Sequence, residues 1–131
     1  MPDRYVLPFP RTASVASNFE YTTTHQRVVV NEAGTIRSAY AFATSVTSNG
    51  TFPSKVDFYR QPSAPALGSN TATSLLVNPI TIPLDLSSAA GTIRASNHRV
   101  AAGDMLELRT SVNASNGELT HVGGTIEVER D

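Results

Sequence analysis

The stretch that most constrains the fold is VAAGDMLELRTSV, from Val100 to Val112. It opens with the turn tripeptide Ala102-Gly103-Asp104 and then alternates strictly between two faces. One face carries Leu106, Leu108, Thr110 and Val112, and the other carries Met105, Glu107, Arg109 and Ser111. A period of two with charge on one side is typical of a half-buried antiparallel strand, whereas a helix needs apolar residues three and four apart. We therefore predict a long strand near the centre of a sheet.

The same alternation recurs along the chain between turn signals such as Asn49-Gly50. From Thr35 to Thr44 it predicts one face with Ile36, Ser38, Tyr40 and Phe42, and an opposite face with Arg37, Ala39, Ala41 and Ala43. Pro79 and Pro83 predict that the segment around Ile80 is an edge strand or a broken one, because proline cannot donate to a ladder. About eight strands without a convincing helix, in 131 residues, predict an all-β fold. The expected fold class is an antiparallel β-sandwich, a jelly roll.

One five-residue sequence occurs twice. Ala33-Gly34-Thr35-Ile36-Arg37 is repeated as Ala90-Gly91-Thr92-Ile93-Arg94. We interpret the two copies as equivalent starts of two strands, the second running from Thr92 to about Ser96, rather than as a gene duplication.

The first 24 residues are predicted to form an extended N-terminal arm, and residues 25–131 to form the jelly-roll domain. Pro2, Pro8 and Pro10 are expected to block regular strand pairing. The arm also carries Val6, Leu7 and Phe9, which such a segment cannot bury by itself. Two interpretations stay open: a coil packed across its own domain, or an arm that docks on a neighbouring subunit or a larger shell.

Composition excludes several classes of function. The net charge of -1 argues against a protein that binds a nucleic-acid backbone, because that affinity comes from clustered cations. The absence of cysteine excludes disulfides and thiolate metal sites. No apolar run approaches the length of a membrane span, and the N-terminus has no signal-peptide pattern. We expect neither nucleic acid nor membrane as a partner.

The residues that could carry chemistry do not form a recognised motif. The three histidines are far apart, without the short spacing typical of metal ligands, and are interpreted as loop or surface residues: His25, His98 and His121. Glu107, Glu127 and Glu129 could supply the paired carboxylates of a glycosidase. We interpret them instead as a solvated strand face, because the chain has no Trp and its four Tyr are dispersed. The sequence therefore predicts no enzyme activity, no cofactor and no metal.

Five segments together suggest a family: AGTIRSAYAFAT, KVDFYR, AGTIRAS, VAAGDMLELRTSV and the terminal TIEVER. This pattern resembles the small jelly-roll proteins of tailed-bacteriophage virions, which include capsid decoration (cement) proteins, head fibres and tail-fibre modules. The resemblance covers roughly Gln26 to Arg130. It implies a virion structural protein, made in the host cytoplasm, that binds the outer surface of the phage head as a homotrimer and stabilises the shell. The implied partners are the major capsid protein and further copies of the chain.

The N-terminal arm lies outside the resembling region and is our candidate for the attachment device. We predict that its apolar residues anchor it on the capsid and that two arginines add flanking polar contacts: Val6, Leu7 and Phe9, with Arg4 and Arg11. An arm that orders on docking adds contact area at an entropic cost, and three arms in one trimer would add avidity.

Two alternatives from other classes remain. A carbohydrate-binding adhesin, or a tail-fibre or receptor-binding module, would carry its site on the loops Ser45–Ser54 and Gln61–Thr73, although the lack of Trp counts against it. A small jelly-roll enzyme acting on sugars would use Glu127 or Glu129.

Overall fold

The structure is a computed structural model that describes residues 3–10, 15–16, 24–43, 45–47, 54–61, 72–82, 88–111 and 118–131. These ranges contain thirteen strands and one single-turn 3-10 helix, Ala95–Asn97, and no α-helix. The strands are β1 (Arg4–Phe9), β2 (Val15–Ala16), β3 (Thr24–Val29), β4 (Gly34–Phe42), β5 (Ser45–Thr47), β6 (Lys55–Gln61), β7 (Thr73–Ser74), β8 (Ile80–Thr81), β9 (Ala89–Gly91), β10 (Arg99–Val100), β11 (Met105–Ser111), β12 (Glu118–Thr120) and β13 (Gly123–Arg130).

Most of these strands form two antiparallel sheets that pack face to face. The first sheet has the order β1-β13-β4-β10, with β9 also paired to β4. The second has the order β3-β11-β6-β7, with β8 also paired to β6, and a small third sheet has the order β2-β12-β5. The chain passes repeatedly from one large sheet to the other. The last strand, β13, lies beside the first strand, β1. This arrangement is the predicted jelly-roll β-sandwich.

The core lies between the two large sheets and is built from their inward residues. Phe9 from the first sheet meets Phe58 from the second, with ring centroids 5.1 Å apart and planes tilted by 55°. Gly124 lies against the same contact: a Cβ atom there would stand 2.5 Å from the Tyr40 carbonyl oxygen and 2.7 Å from the Phe58 ring. The two aromatic rings therefore set how closely β13 and β6 approach.

The predicted central strand is confirmed. Strand β11 lies between β3 and β6, and Leu106, Leu108 and Thr110 are fully buried on its inward face. The turn before it is also confirmed: Gly103 has a φ of 91°, and the Asp104 carboxylate accepts a hydrogen bond of 2.8 Å from the Ala101 amide.

The N-terminal segment differs from the prediction of an unpaired arm. Strand β1 pairs with β13 in an unbroken register from Arg4 opposite Glu129 to Phe9 opposite Gly124. Because β1 is at the edge of its sheet, the missing N–H of Pro8 need not cost a ladder bond. Strand β1 is thus part of the sandwich, and β2, also within the predicted arm, pairs with β12.

A β-bulge changes the alternation predicted for β4. Ser38 lies opposite Glu127 and Ile36 opposite Val128, so Arg37 is an extra residue on β4. The bulge changes which residues of β4 point inward, from even-numbered positions before it to odd-numbered positions after it: Ile36 is buried before the bulge and Ala39 after it. The prediction that Ile36 and Tyr40 share a face is therefore wrong.

The two copies of the repeated pentapeptide are not equivalent. The first leads into the nine-residue β4, whereas the second contributes only the end of β9, where Gly91 pairs with Ala39. Beyond β9 the chain forms an isolated bridge at Ile93 and then the 3-10 helix, so the strand predicted to start at Thr92 is not formed. The proline-flanked segment is the two-residue edge strand β8, as predicted.

Candidate functional site

The first sheet presents a solvent-facing surface in which outward residues of neighbouring strands line up in three rows. The first row is Pro8, Thr125, Tyr40 and Ala90; the second is Val6, Glu127 and Ser38; the third is Arg4, Glu129, Thr35 and Arg99. We call these residues, together with Arg37 at the bulge, the outer face. Directly opposed residues on one side of an antiparallel pair are in contact distance, so each row is a continuous strip of surface.

One end of the outer face is charged, and its charges are paired. The Arg4 guanidinium lies 2.7 Å from a carboxylate oxygen of Glu127 and 3.7 Å from one of Glu129. Arg37 donates to Glu129 over 2.8 Å, and this hydrogen bond lowers the pKa of the Glu129 carboxyl. Glu127 and Glu129 share a face, and both are held by arginines.

The other end of the outer face is apolar. Val6 is 54% exposed and Tyr40 is 43% exposed, and Pro8 and Ala90 are also exposed beside them. Single exposed apolar residues are common on protein surfaces, and here Tyr40 is paired with Ala90, whereas Thr125 and Glu127 of β13 lie between Tyr40 and the apolar residues of β1. The outer face thus combines separate exposed apolar residues with a neutral network of charges.

The predicted capsid contacts divide between this surface and the core. Arg4 and Val6 lie on the outer face, whereas Leu7 and Phe9 point between the sheets and are 4% and 1% exposed. Arg11 lies outside the described residues. The alternation of Val6 with Leu7 and Phe9 is visible in the sequence, but Pro8 and Pro10 argue against a regular strand there.

A second polar cluster lies on the far side of the second sheet, around Glu107. Its side chain is fully buried, which corrects the prediction of a solvated carboxylate. The side chain of Arg27 donates from Nε over 2.9 Å and from Nη2 over 2.6 Å to one carboxylate oxygen, and Arg109 donates to the other over 3.1 and 2.5 Å. Burial raises the pKa of Glu107, but the bonds from Arg109 and Arg27 outweigh it and hold the pKa below its usual value. The Arg109 guanidinium also stacks 4.4 Å above the Tyr59 ring.

Asp57 extends this cluster and is the most perturbed acid in the described residues. It lies opposite Arg109 in the sheet, and its carboxylate accepts bonds from the Ser74 hydroxyl at 2.8 and 3.0 Å and from the Phe58 amide at 2.8 Å. Desolvation raises its pKa to about 6, against these bonds and the charges of Arg94 and Arg109. Sequence reasoning missed Asp57 because a single acid within an apolar strand carries no motif.

A shallow depression of about 390 Å³ lies beside Asp57 and is lined by Thr73, Ser74, Arg94 and Ser96. The Arg94 side chain is held there by a bond of 2.6 Å from its Nε to the Leu76 carbonyl oxygen. Three hydroxyls and a guanidinium could bind a polar or anionic ligand. Within this depression the Ser74 hydroxyl donates its hydrogen to the Asp57 carboxylate.

The histidines do not converge within the described part of the chain, where no three His, Asp or Glu side chains could hold a metal ion. His98 follows the 3-10 helix and contacts the Ala95 carbonyl oxygen, and His121 occupies an exposed turn with a φ of 50°. The side chain of His25 lies outside the described residues. The described segments also contain no helix long and apolar enough to cross a membrane.

Comparison with known proteins adds likenesses to virus structures. No protein-family profile matches the chain, and no curated protein matches it. Among solved structures, a chain of Desmodium yellow mottle tymovirus is 12% identical with a TM-score of 0.33, over 99% of this chain and 89% of its own. A chain of infectious bursal disease virus, Gx strain, is 11% identical with a TM-score of 0.40, over 99% of this chain and 37% of its own. A chain of Turnip Yellow Mosaic Virus is 10% identical with a TM-score of 0.27, over 98% and 95%. At such identities and TM-scores these likenesses carry no argument about function.

Proposed function

We propose that the protein is a non-enzymatic virion structural protein, a capsid decoration (cement) protein on the outer surface of a tailed-phage head. The observation that carries the proposal is where the phage-like segments fall in the fold. AGTIRSAYAFAT contains β4, VAAGDMLELRTSV contains β11, and TIEVER lies within β13. The resemblance therefore follows the central strands of both sheets rather than scattered loops.

The physical properties of the fold suit this role. A cement protein needs a rigid body and an exposed contact surface rather than a pocket. The sandwich supplies the first through a continuous core that joins both sheets. The outer face supplies the second, since its three rows are anchored on β13 and β4, which lie between other strands of the sheet.

The proposed capsid contacts are now Arg4 and Val6, the two members of the predicted set that lie on the outer face. Leu7 and Phe9 stabilise the sandwich itself. Deleting residues 1–11 would consequently remove a core strand and would unfold the sheet edge along with any contact. Point substitutions on the exposed side of β1 are the appropriate test.

Location on the virion can be tested directly. We would label virions from the source of this sequence with antibodies against the full chain and view them by immuno-electron microscopy. Label over the heads is expected. Label confined to the tail tip would favour the receptor-binding alternative, and label on neither structure would refute a role in the virion.

Binding can be tested by co-sedimenting the full chain with heads that lack it. We expect Val6→Glu to weaken binding by about tenfold or more, because a buried carboxylate would replace an apolar contact. Val29→Glu is the matched control, since Val29 is 52% exposed but lies on β3 of the other sheet. Equal binding by both variants and the parent chain would refute a contact at Val6.

The depression beside Asp57 favours one second candidate, a carbohydrate-binding module. Thr73 at its rim ends one of the two loops predicted to carry a glycan site, although most of both loops lies outside the described residues. A glycan array probed with the full chain and with Arg94→Ala tests this role. Saturable binding that is lost in the variant would support it, and absence of binding by the parent chain would refute it.

A further inference from the structure

Arg94 differs from the other arginines of the described residues because no carboxylate contacts it. Its guanidinium donates from Nε to the Leu76 carbonyl oxygen over 2.6 Å, and this is the only hydrogen bond that its side chain makes within the described residues. The other arginines described by the structure all form ion pairs with Asp or Glu: Arg4, Arg27, Arg37, Arg60, Arg99, Arg109 and Arg130. A guanidinium with its terminal nitrogens available is suited to bind a carboxylate.

The backbone holds Arg94 in place at the rim of the depression beside Asp57. The Arg94 amide donates to the Leu75 carbonyl oxygen over 2.7 Å, and Ile93 forms the isolated bridge with Leu76. Together with the bond from Nε, these contacts fix the main chain and the guanidinium against Leu75 and Leu76, which are both buried. A charged group that is already ordered loses less conformational entropy when a ligand binds.

The other side chains of the depression indicate which carboxylate would fit. Its volume is about 390 Å³, near the lower end of the range for small-ligand sites, and Thr73, Ser74 and Ser96 line it beside Arg94. Ser74 is engaged with Asp57, whereas Thr73 and Ser96 are exposed. Among the lining residues that the structure describes there is no apolar side chain, so a ligand rich in hydroxyl groups suits the depression better than an apolar acid.

We propose that this depression binds an acidic monosaccharide unit, with the sugar carboxylate on Arg94 and sugar hydroxyls on Thr73 and Ser96. Sugar hydroxyls both donate and accept hydrogen bonds, as the serine and threonine hydroxyls do. The inference rests on the second proposed function, the carbohydrate-binding module, and names the class of sugar that this module would bind. It is independent of the cement role.

Asp57 makes this binding depend on pH. Its buried carboxylate lies beside the depression, and desolvation raises its pKa to about 6. The charged and titratable groups that act on it are Arg94, Arg109 and Tyr59. Ionised Asp57 opposes a second carboxylate on Arg94, and protonated Asp57 does not. The affinity for an acidic sugar should therefore rise by at least about threefold as pH falls through the pKa of Asp57.

The first experiment compares three ligands. D-Glucuronate is titrated into the isotope-labelled full chain at constant ionic strength, and binding is followed by the amide chemical shifts of the lining residues. D-Glucose lacks the carboxylate, and acetate lacks the hydroxyls. We expect saturable binding of glucuronate, at least about tenfold tighter than binding of either control. No binding of glucuronate, or equal binding of glucose or acetate, would overturn the proposal.

Variants then test the residues. Arg94→Gln should weaken glucuronate binding by about tenfold, and Arg94→Lys by less, because lysine keeps the charge but not the paired donors. Thr73→Val should also weaken it, and this change leaves the bond from Arg94 to Leu76 in place. Arg99→Gln is the matched control, since Arg99 is exposed but paired with Asp131. Unchanged binding in Arg94→Gln, or an equal loss in Arg99→Gln, would overturn the proposed site; circular dichroism would confirm that each variant folds.

The pH dependence has its own variant. In Asp57→Asn the affinity for glucuronate should stay at its higher, low-pH value at every pH. A dependence on pH that persists in this variant would refute the role of Asp57.

Failure of this inference is distinguishable from failure of the carbohydrate-binding role. A chain that binds a neutral glycan through Arg94, but not glucuronate, would overturn the acidic class and leave the module standing. Glucuronate binding that depends on Arg94, without binding to any glycan of the array, would do the reverse.

Discussion

Replacing Asp57 by Asn should change how stability depends on pH. The carboxylate is 3% exposed and accepts hydrogen bonds from Ser74 and from the Phe58 amide. Asparagine has the same shape and keeps an oxygen for these donors, but it cannot ionise. The substitution therefore removes one buried charge while leaving the packing of β6 in place.

The size of the effect follows from the shift in pKa. Desolvation raises the pKa of Asp57 from 3.8 to about 6, so between these values the folded state binds more protons than the unfolded state. The contribution of Asp57 to stability is therefore largest below about pH 4 and is lost as pH rises through 6. A shift of about two units at 1.36 kcal/mol each gives about 3 kcal/mol.

The assay is urea unfolding of the parent chain and of Asp57→Asn at several pH values between 4 and 7, followed by circular dichroism. The free energy of unfolding of the variant minus that of the parent should rise by about 3 kcal/mol across this range. Taking the difference between variant and parent cancels the pH-dependent contributions of the other titrating groups, which both proteins share. Asp131→Asn is the control: its pKa is lowered by Arg99, so its difference should be small and opposite in sign. A flat difference for Asp57→Asn would refute the reasoning.

Three further substitutions test the architecture by the free energy of unfolding at neutral pH. Phe9→Ala should cost about 3 to 5 kcal/mol by opening a cavity between the sheets, whereas Val6→Ala on the same strand should cost almost nothing; equal costs would contradict the placement of β1. Glu107→Gln should cost about 3 kcal/mol because it removes the buried charge that both Arg27 and Arg109 bind, and a neutral outcome would show that the cluster is dispensable. Gly124→Ala should cost about 1 to 3 kcal/mol, because the added methyl meets a backbone oxygen and an aromatic ring, while Thr125→Ala next to it should be tolerated.

Most of the sandwich could be predicted from the sequence, because its main strands bury their apolar residues on a single face. The alternation in β11 gave both its place at the centre of a sheet and its inward residues. The alternation in β13 likewise placed Ile126 and Val128 inside and Glu127 and Glu129 outside. Where one face of a strand contacts the core, apolar and polar residues alternate along the strand. This pattern predicts the inward residues without knowledge of the neighbouring strands.

Features that depend on a neighbouring strand were decided only by the tertiary structure. Strand β1 pairs regularly despite its prolines because it lies at the edge of its sheet, and the phase of β4 changes at Arg37 because of its register with β13. Glu107 resembles any solvated strand residue until Arg27 is brought beside it from β3, opposite the contact that Arg109 makes from the same strand. The sequence determined which residues alternate within each strand; edge position, register and charge partners depend on contacts between distant segments, and only the folded sandwich fixes those contacts.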